Sequence, residues 1–129
     1  MKESGHLARR MLDYALSLAT PGVTTDYIDS KVHEEIIKHG AYPSPLHYSG
    51  FPKSICTSVN EVACHGIPDS RPLQEGDMLK IDVSLFLKGF HGDNCGCVMV
   101  GDNAVDDIGL MKVTHDALEK AISICGPGV

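Results

Sequence analysis

Two carboxylates, Asp82 and Asp93, are the side chains whose spacing most directly suggests chemistry. Asp82 lies in the run Met78 to Leu87, where Leu79, Ile81, Val83, Leu85 and Leu87 alternate with Lys80, Asp82 and Ser84, the two-residue period of a strand. Lys88-Gly89 reads as a two-residue hairpin turn, and the chain returns over residues 90–100. Such a turn sets Leu87 opposite Phe90 and Ser84 opposite Asp93, so that Asp93 shares the face of Asp82 as its diagonal neighbour. A four-residue loop keeps that pairing and a three-residue loop destroys it. Diagonal neighbours lie roughly 7–8 Å apart or somewhat less, within reach of two carboxylates sharing a pair of ions ~3.5–4 Å apart. Without cations the two charges repel and raise each other's pKa. Divalent ions remove that conflict, and oxygen ligands suit hard or borderline ones. The competing reading of Asp82 is a simply solvated strand face.

Other polar side chains carry weaker signals. His65, just before Gly66-Ile67-Pro68, sits near a strand end, where a hydrogen-bonded structural histidine competes with a ligand. His91 shares the Asp93 face by alternation or is merely exposed beside the turn. Cys95 and Cys97 project from that face too, yet a thiolate metal site calls for a second Cys pair or a spaced His pair, which the sequence lacks. The five cysteines are odd in number and without framework spacing, as free thiols of a reducing compartment are.

The elements that must position these groups follow from periodicity and breakers. Leu7, Met11, Leu12, Ala15, Leu18 and Ala19 recur at helical spacing, and Pro21-Gly22 ends that helix. Thr24 or Thr25 caps a second helix with Ile28, Val32, Ile36 and Ile37 on one face, closed by Lys38-His39-Gly40. Residues 42–52 read as irregular loop, 55–59 and 62–65 as short strands, and Pro68-Asp69-Ser70-Arg71-Pro72 and Glu75-Gly76-Asp77 as turns. A last helix starts near Asp106 and carries Ile108, Met111, Val113, Leu118, Ala121 and Ile122. Leu12, Ala15, Ser17, Pro21, Gly22 and Val23 recur as Leu118, Ala121, Ser123, Pro127, Gly128 and Val129, an offset of 118 − 12 = 106 residues. The repeat reads as a duplicated fold whose second copy stops just after it begins.

A chain of 129 residues with 43% hydrophobic and 22% charged residues fits one soluble α+β domain. Its net charge of −6 argues against nucleic acid as the default partner. No run approaches the ~20 apolar residues of a membrane span, and residues 1–4 lead straight into a helix pattern without a targeting signal.

The stretch Tyr48-Ser49-Gly50-Phe51-Pro52-Lys53-Ser54-Ile55-Cys56-Thr57-Ser58-Val59-Asn60-Glu61-Val62-Ala63-Cys64-His65-Gly66-Ile67-Pro68-Asp69, followed by Ile81-Asp82-Val83 and His91-Gly92-Asp93, resembles the first half of a type I methionine aminopeptidase of the mitochondrial-type branch. The resemblance runs from about Leu7 to Val129 and implies an α+β fold, half of a pita-bread architecture with a curved antiparallel sheet and flanking helices. Residues 1–129 are then the N-terminal portion of a peptidase M24-like domain, truncated at the start of its second pseudo-repeat. It implies that Asp82 and Asp93 bind two divalent metal ions (Co, Mn, Fe or Zn), that His65 contacts the substrate, and that Tyr48, Phe51 and Cys56 line the pocket for a methionine side chain. The implied reaction removes initiator methionine from the N-termini of nascent polypeptides, the ions acting as Lewis acids and as the source of the nucleophile. Relatives complete the site with one His and two Glu from the second half, along with a further substrate-binding His. The 129 residues alone are therefore expected to be inactive or impaired and to need the missing half or a partner chain. Asn94-Cys95-Gly96-Cys97-Val98 also departs from the Thr-rich run of relatives. The alternative is a non-catalytic binding module of the same ancestry, holding nascent chains or protein partners. The branch implies a mitochondrial location, with the cytoplasm as the other option.

Overall fold

The computed structural model describes residues 1–101 and 108–129. Helix α1, Lys2–Ser17, buries Leu7, Ala8, Met11, Leu12 and Ala15 along one face and leaves Arg9, Arg10 and Asp13 in solvent. Helix α2, Thr25–Lys38, is capped by Thr24, whose hydroxyl accepts from the Tyr27 N–H at 3.1 Å. Its buried stripe is Ile28, Asp29, Val32 and Ile36, while Ile37, grouped with them by sequence, faces solvent. Gly40 ends it with a φ of +70°, which suits a residue without Cβ.

The sheet is four-stranded and antiparallel: β1, Tyr42–Pro43; β2, Cys56–Val59; β3, Met78–Leu87; β4, Phe90–Met99. Strand β4 pairs along the whole of β3, from Met78 opposite Met99 to Leu87 opposite Phe90. The other edge of β3 is shared, β1 taking Leu85 and Phe86 and β2 taking residues 79–82. The Lys88-Gly89 turn is the expected two-residue one, with φ of +51° and +88° at its two positions.

Residues 62–65 are not the strand that their apolar content suggests. Asn60 and His65 both adopt left-handed φ, of 52° and 55°, so the chain cannot stay extended between them. It turns back instead and lays Gly66 on β2, where the Thr57 N–H donates to the Gly66 carbonyl at 2.9 Å. A Cβ at residue 66 would stand 2.1 Å from the Thr57 oxygen, so only glycine fits this approach.

The core lies between α1, α2 and one face of the sheet, with Leu79, Ile81, Val83 and Leu85 fully buried beneath α1. On β4 the residues turned to α1 include Gly92 and Gly96, which let the helix lie close. A Cβ at Gly92 would fall 2.3 Å from the Ser4 carbonyl oxygen. The face carrying Asp82, Ser84, Asp93 and Cys95 is therefore the one turned away from α1.

Helix α3, Ile108–Ser123, has 16 residues, as α1 does. Its bounds stand at the same offset as the sequence repeat, 108 − 2 = 106 and 123 − 17 = 106. The terminal details repeat as well: Ser17 Oγ donates to the Tyr14 carbonyl and Ser123 Oγ to the Lys120 carbonyl, each at 2.7 Å. Gly22 and Gly128 follow with φ of +88° and +84°. The environments differ, since Leu12 is 2% exposed and its counterpart Leu118 is 56% exposed. Asp106, where the sequence reading starts this helix, lies outside the described residues. Among the described residues no helix is long and apolar enough to cross a membrane.

Candidate metal centre

Antiparallel register brings the candidate residues together. Cys56 on β2, Asp82 on β3 and Cys95 on β4 form one cross-strand row. Ser84 and Asp93 form the neighbouring pair, with Ser84 Oγ donating to Asp93 Oδ1 at 2.7 Å. Asp93 is thus the diagonal neighbour of Asp82 on the sheet face opposite α1, as the two-residue turn requires.

Asp82 Oδ1 is buried and has no hydrogen-bond partner among the described residues. Burial, and then the adjacent Asp93 carboxyl, push the Asp82 pKa up to about 6, with His65 pulling the other way. A buried carboxylate oxygen left without a donor is costly, and a cation is a partner that two adjacent carboxylates suit. Their donor set is hard, oxygen-based and anionic, which fits a divalent ion of the Mg²⁺ or Mn²⁺ kind. It is also incomplete: among the described residues no three His, Cys, Asp or Glu side chains are arranged to hold a metal. Two carboxylates supply only part of the ~six-ligand shell such ions take.

The thiols around the aspartates are held in their neutral form. Cys56 is 8% exposed, and burial followed by the Asp82 charge pushes it up to about 11. Cys95 is shifted upward by burial and by Asp82, and Cys97 by burial against the opposing pull of Lys80. Since the thiolate is the nucleophilic form, these shifts disfavour a nucleophilic role for them without a metal.

The remaining candidates are distributed unevenly. His65 is exposed, yet it stands in electrostatic reach of Asp82, held by the backbone pairing of Gly66 with Thr57 and by the Gly66 N–H donating to Ser58 Oγ at 3.1 Å. Tyr48 opens a short 3₁₀ turn, Tyr48–Gly50, and is exposed, while Phe51 is half-buried and donates its N–H to the Tyr48 carbonyl at 2.9 Å. They belong to the loop that precedes β2. His91 bonds Ser44 Oγ through Nδ1 at 2.9 Å and packs tilted against Phe86, with centroids 4.9 Å apart. It serves the sheet edge.

The family model for "Metallopeptidase family M24" matches residues 1–129, the entire chain. The chain belongs to this family. Among curated M24 relatives, a methionine aminopeptidase 1D of Arabidopsis thaliana, named chloroplastic/mitochondrial, is 59% identical over 129 residues, covering 100% of this chain and 37% of its own length. A mitochondrial methionine aminopeptidase 1D of Danio rerio is 51% identical over 130 residues, 99% of this chain and 38% of that protein. The solved methionine aminopeptidase of Rickettsia prowazekii superposes with a TM-score of 0.91 at 46% identity, over 93% of this chain and 48% of that one. The chain therefore spans just over a third of these curated relatives and about half of the solved M24 chain. Its antiparallel sheet with flanking helices is half of the M24 pita-bread fold.

Sequence reasoning missed two buried carboxylates. Asp77 accepts from Arg71 at 2.7 Å, from Asn60 at 2.8 Å and from the Gln74 N–H at 2.8 Å, and it is held down to about 2, first by the Arg71 bond. Asp29 accepts from the Ser54 and Ile55 N–H groups. The available signal for Asp29 was an acid on the apolar stripe of α2, three residues before Val32 and seven before Ile36.

Proposed function

We propose that these 129 residues carry the first half of a methionine aminopeptidase site, with Asp82 and Asp93 as ligands of two divalent ions. Co, Mn, Fe and Zn are the candidates, and the carboxylate donor set favours Mn²⁺ among them. The observation that carries the reading is the pair itself: two carboxylates on adjacent strands of one face, one with a buried oxygen that no donor among the described residues satisfies. The curated relatives are named methionine aminopeptidases, which supports removal of an N-terminal methionine as the reaction class.

When bound, the ions supply Lewis acidity for peptide hydrolysis. Asp82 and Asp93 hold them, and Ser84 fixes the Asp93 carboxylate through its 2.7 Å bond. His65, placed by the Gly66–Thr57 pairing, holds the substrate at the mouth of the site. Tyr48, Phe51 and Cys56 line the methionine pocket, Cys56 as a neutral apolar wall because its thiol is shifted far above neutral pH. Among the described residues no third ligand joins the two aspartates, and the rest of the shell is assigned to further chain or a partner. The offset of 106 residues shared by α1 and α3 supports α3 as the opening of a second, related unit. The organellar names of the relatives support a mitochondrial location.

The test is methionine release from a peptide beginning Met-Ala, with Mn²⁺ or Co²⁺ added, alongside a Mn²⁺ titration and the Asp93→Ala variant. Metal-dependent turnover that the variant loses supports a site completed between chains. Mn²⁺ binding without turnover, again lost in the variant, supports a half-site. Absence of both removes the metal reading and leaves a non-catalytic module for nascent chains or protein partners, which the exposed apolar residues of α3 would serve.

A further inference from the structure

Helix α2 turns three polar side chains of one face toward the segment that enters β2. Asp26 pairs with Lys53, Asp29 accepts from the backbone N–H groups of Ser54 at 2.8 Å and Ile55 at 3.0 Å, and His33 Nδ1 shares a 2.8 Å hydrogen bond with Ser54 Oγ. Of the three, Asp29 is the buried one, 6% exposed between Ile28 and Val32. A charge is not placed there for solubility, and it makes no ion pair among the described residues. Both of its bonds go to one oxygen, Oδ1, and both come from peptide groups just before β2 begins at Cys56. Those donors precede the β2–β3 ladder, whose first pair is Cys56 with Asp82. Asp29 therefore supplies the acceptor that a strand neighbour would otherwise provide.

We propose that Asp29 is a positioning residue: by holding the Ser54 and Ile55 amides it fixes where β2 starts, and so keeps Cys56 beside Asp82 as a wall of the site. The significance of that wall rests on the proposed function, whereas the placement of Cys56 does not. Bonds to a carboxylate are roughly twice as strong as those to a neutral acceptor. Asparagine preserves the acceptor at lower strength, and alanine removes it while leaving two buried N–H groups unpaired. Among the described residues the Asp26 carboxylate pairs with the Lys53 side chain and takes no hydrogen bond from the backbone of β2.

The experiment uses the full chain and a built-in reference thiol, because Cys56 is buried while Cys125 is exposed. Wild type, Asp29→Ala, Asp29→Asn and Asp26→Ala are pulsed with iodoacetamide, and Cys56 labelling relative to Cys125 is read by peptide mass spectrometry. Amide hydrogen exchange of residues 54–59 is followed against β3. The expected result is Cys56 labelling raised roughly ten-fold in Asp29→Ala and about three-fold in Asp29→Asn, with faster exchange confined to residues 54–59. Asp26→Ala is expected to match wild type. Wild-type labelling in both Asp29 variants overturns the proposal, as does a loss of protection spread equally over β3. If Asp29→Ala does not fold, Asp29→Asn decides: raised Cys56 labelling with β3 intact supports the proposal, and an unchanged rate overturns it. None of these readouts uses catalysis, so a wild type without turnover counts against the proposed reaction and leaves the role of Asp29 measurable.

Discussion

Ser84 stands directly opposite Asp93 across the β3–β4 hairpin and donates its hydroxyl to the Asp93 carboxylate at 2.7 Å. That bond points Asp93 along the face shared with Asp82 and leaves Asp82 as the carboxylate with an unsatisfied buried oxygen. Removing the hydroxyl tests how far the orientation matters. Ser84→Ala is expected to weaken Mn²⁺ binding about ten-fold, the lower end of what outer-shell partners contribute, as read by calorimetric titration at neutral pH. An unchanged affinity would show that Asp93 needs no such support.

Without a cation, the ionised form of Asp82 is costly to the fold. Its pKa of about 6 lies above the unfolded carboxylate value, so the unfolded chain gives up its proton first as pH rises. Folding stability from this group is full in acid, falls as pH rises from about 4, and is lost above about 6. Asp82→Asn, without added metal, is therefore expected to raise the melting temperature at pH 7.5. The gain should vanish at pH 4, where the wild-type carboxyl is protonated in the folded state. A variant less stable than wild type at pH 7.5 would contradict the cost ascribed to Asp82.

Asp77 has the opposite sign. Held at about 2 by Arg71, Asn60 and the Gln74 N–H, it stabilises the fold above the unfolded carboxylate pKa and loses that contribution as pH falls toward 2. The shift corresponds to about 2 kcal/mol. Chemical denaturation of wild type and Asp77→Asn between pH 7 and pH 3 should show the two curves converging in acid. Curves that stay parallel would mean that Asp77 is not the group being titrated.

Two glycines on either side of one contact should respond in opposite directions. A Cβ at Gly92 meets the Ser4 carbonyl oxygen at 2.3 Å, whereas a Cβ at Gly5, within α1, meets nothing within 4 Å. Gly92→Ala should cost about 1–3 kcal/mol by forcing α1 from β4. Gly5→Ala should add roughly 0.5–1 kcal/mol through helix propensity alone. Urea midpoints of the two variants give the comparison directly.

The leucines related by the 106-residue offset, 118 − 12, separate sequence from environment. Leu12→Ala opens a cavity under α1 and should cost about 2–5 kcal/mol. Leu118→Ala, in the exposed α3, should fall within about 0.5 kcal/mol of wild type. A large effect at Leu118 would mean that its face is covered in solution.

Much of the fold is legible in the order of residues. Alternation over Met78–Leu87, the Lys88-Gly89 turn and the placement of Asp93 opposite Ser84 follow from local rules, because a two-residue turn and a two-residue side-chain period leave one register. The helices are legible from apolar spacing and from Thr24 and Gly40 at their ends. Residues 62–65 are not, because their left-handed turn is set by where Gly66 meets Thr57, a contact that no local propensity encodes. Nor is the role of Asp29, whose partners lie 25 and 26 residues away. Covalent order determined the strand faces, the hairpin register and the pairing of the two aspartates. Tertiary packing alone decided which carboxylates were buried, which of them found donors, and why Asp82 was left without one on Oδ1, since burial and satisfaction depend on neighbours brought from elsewhere in the chain.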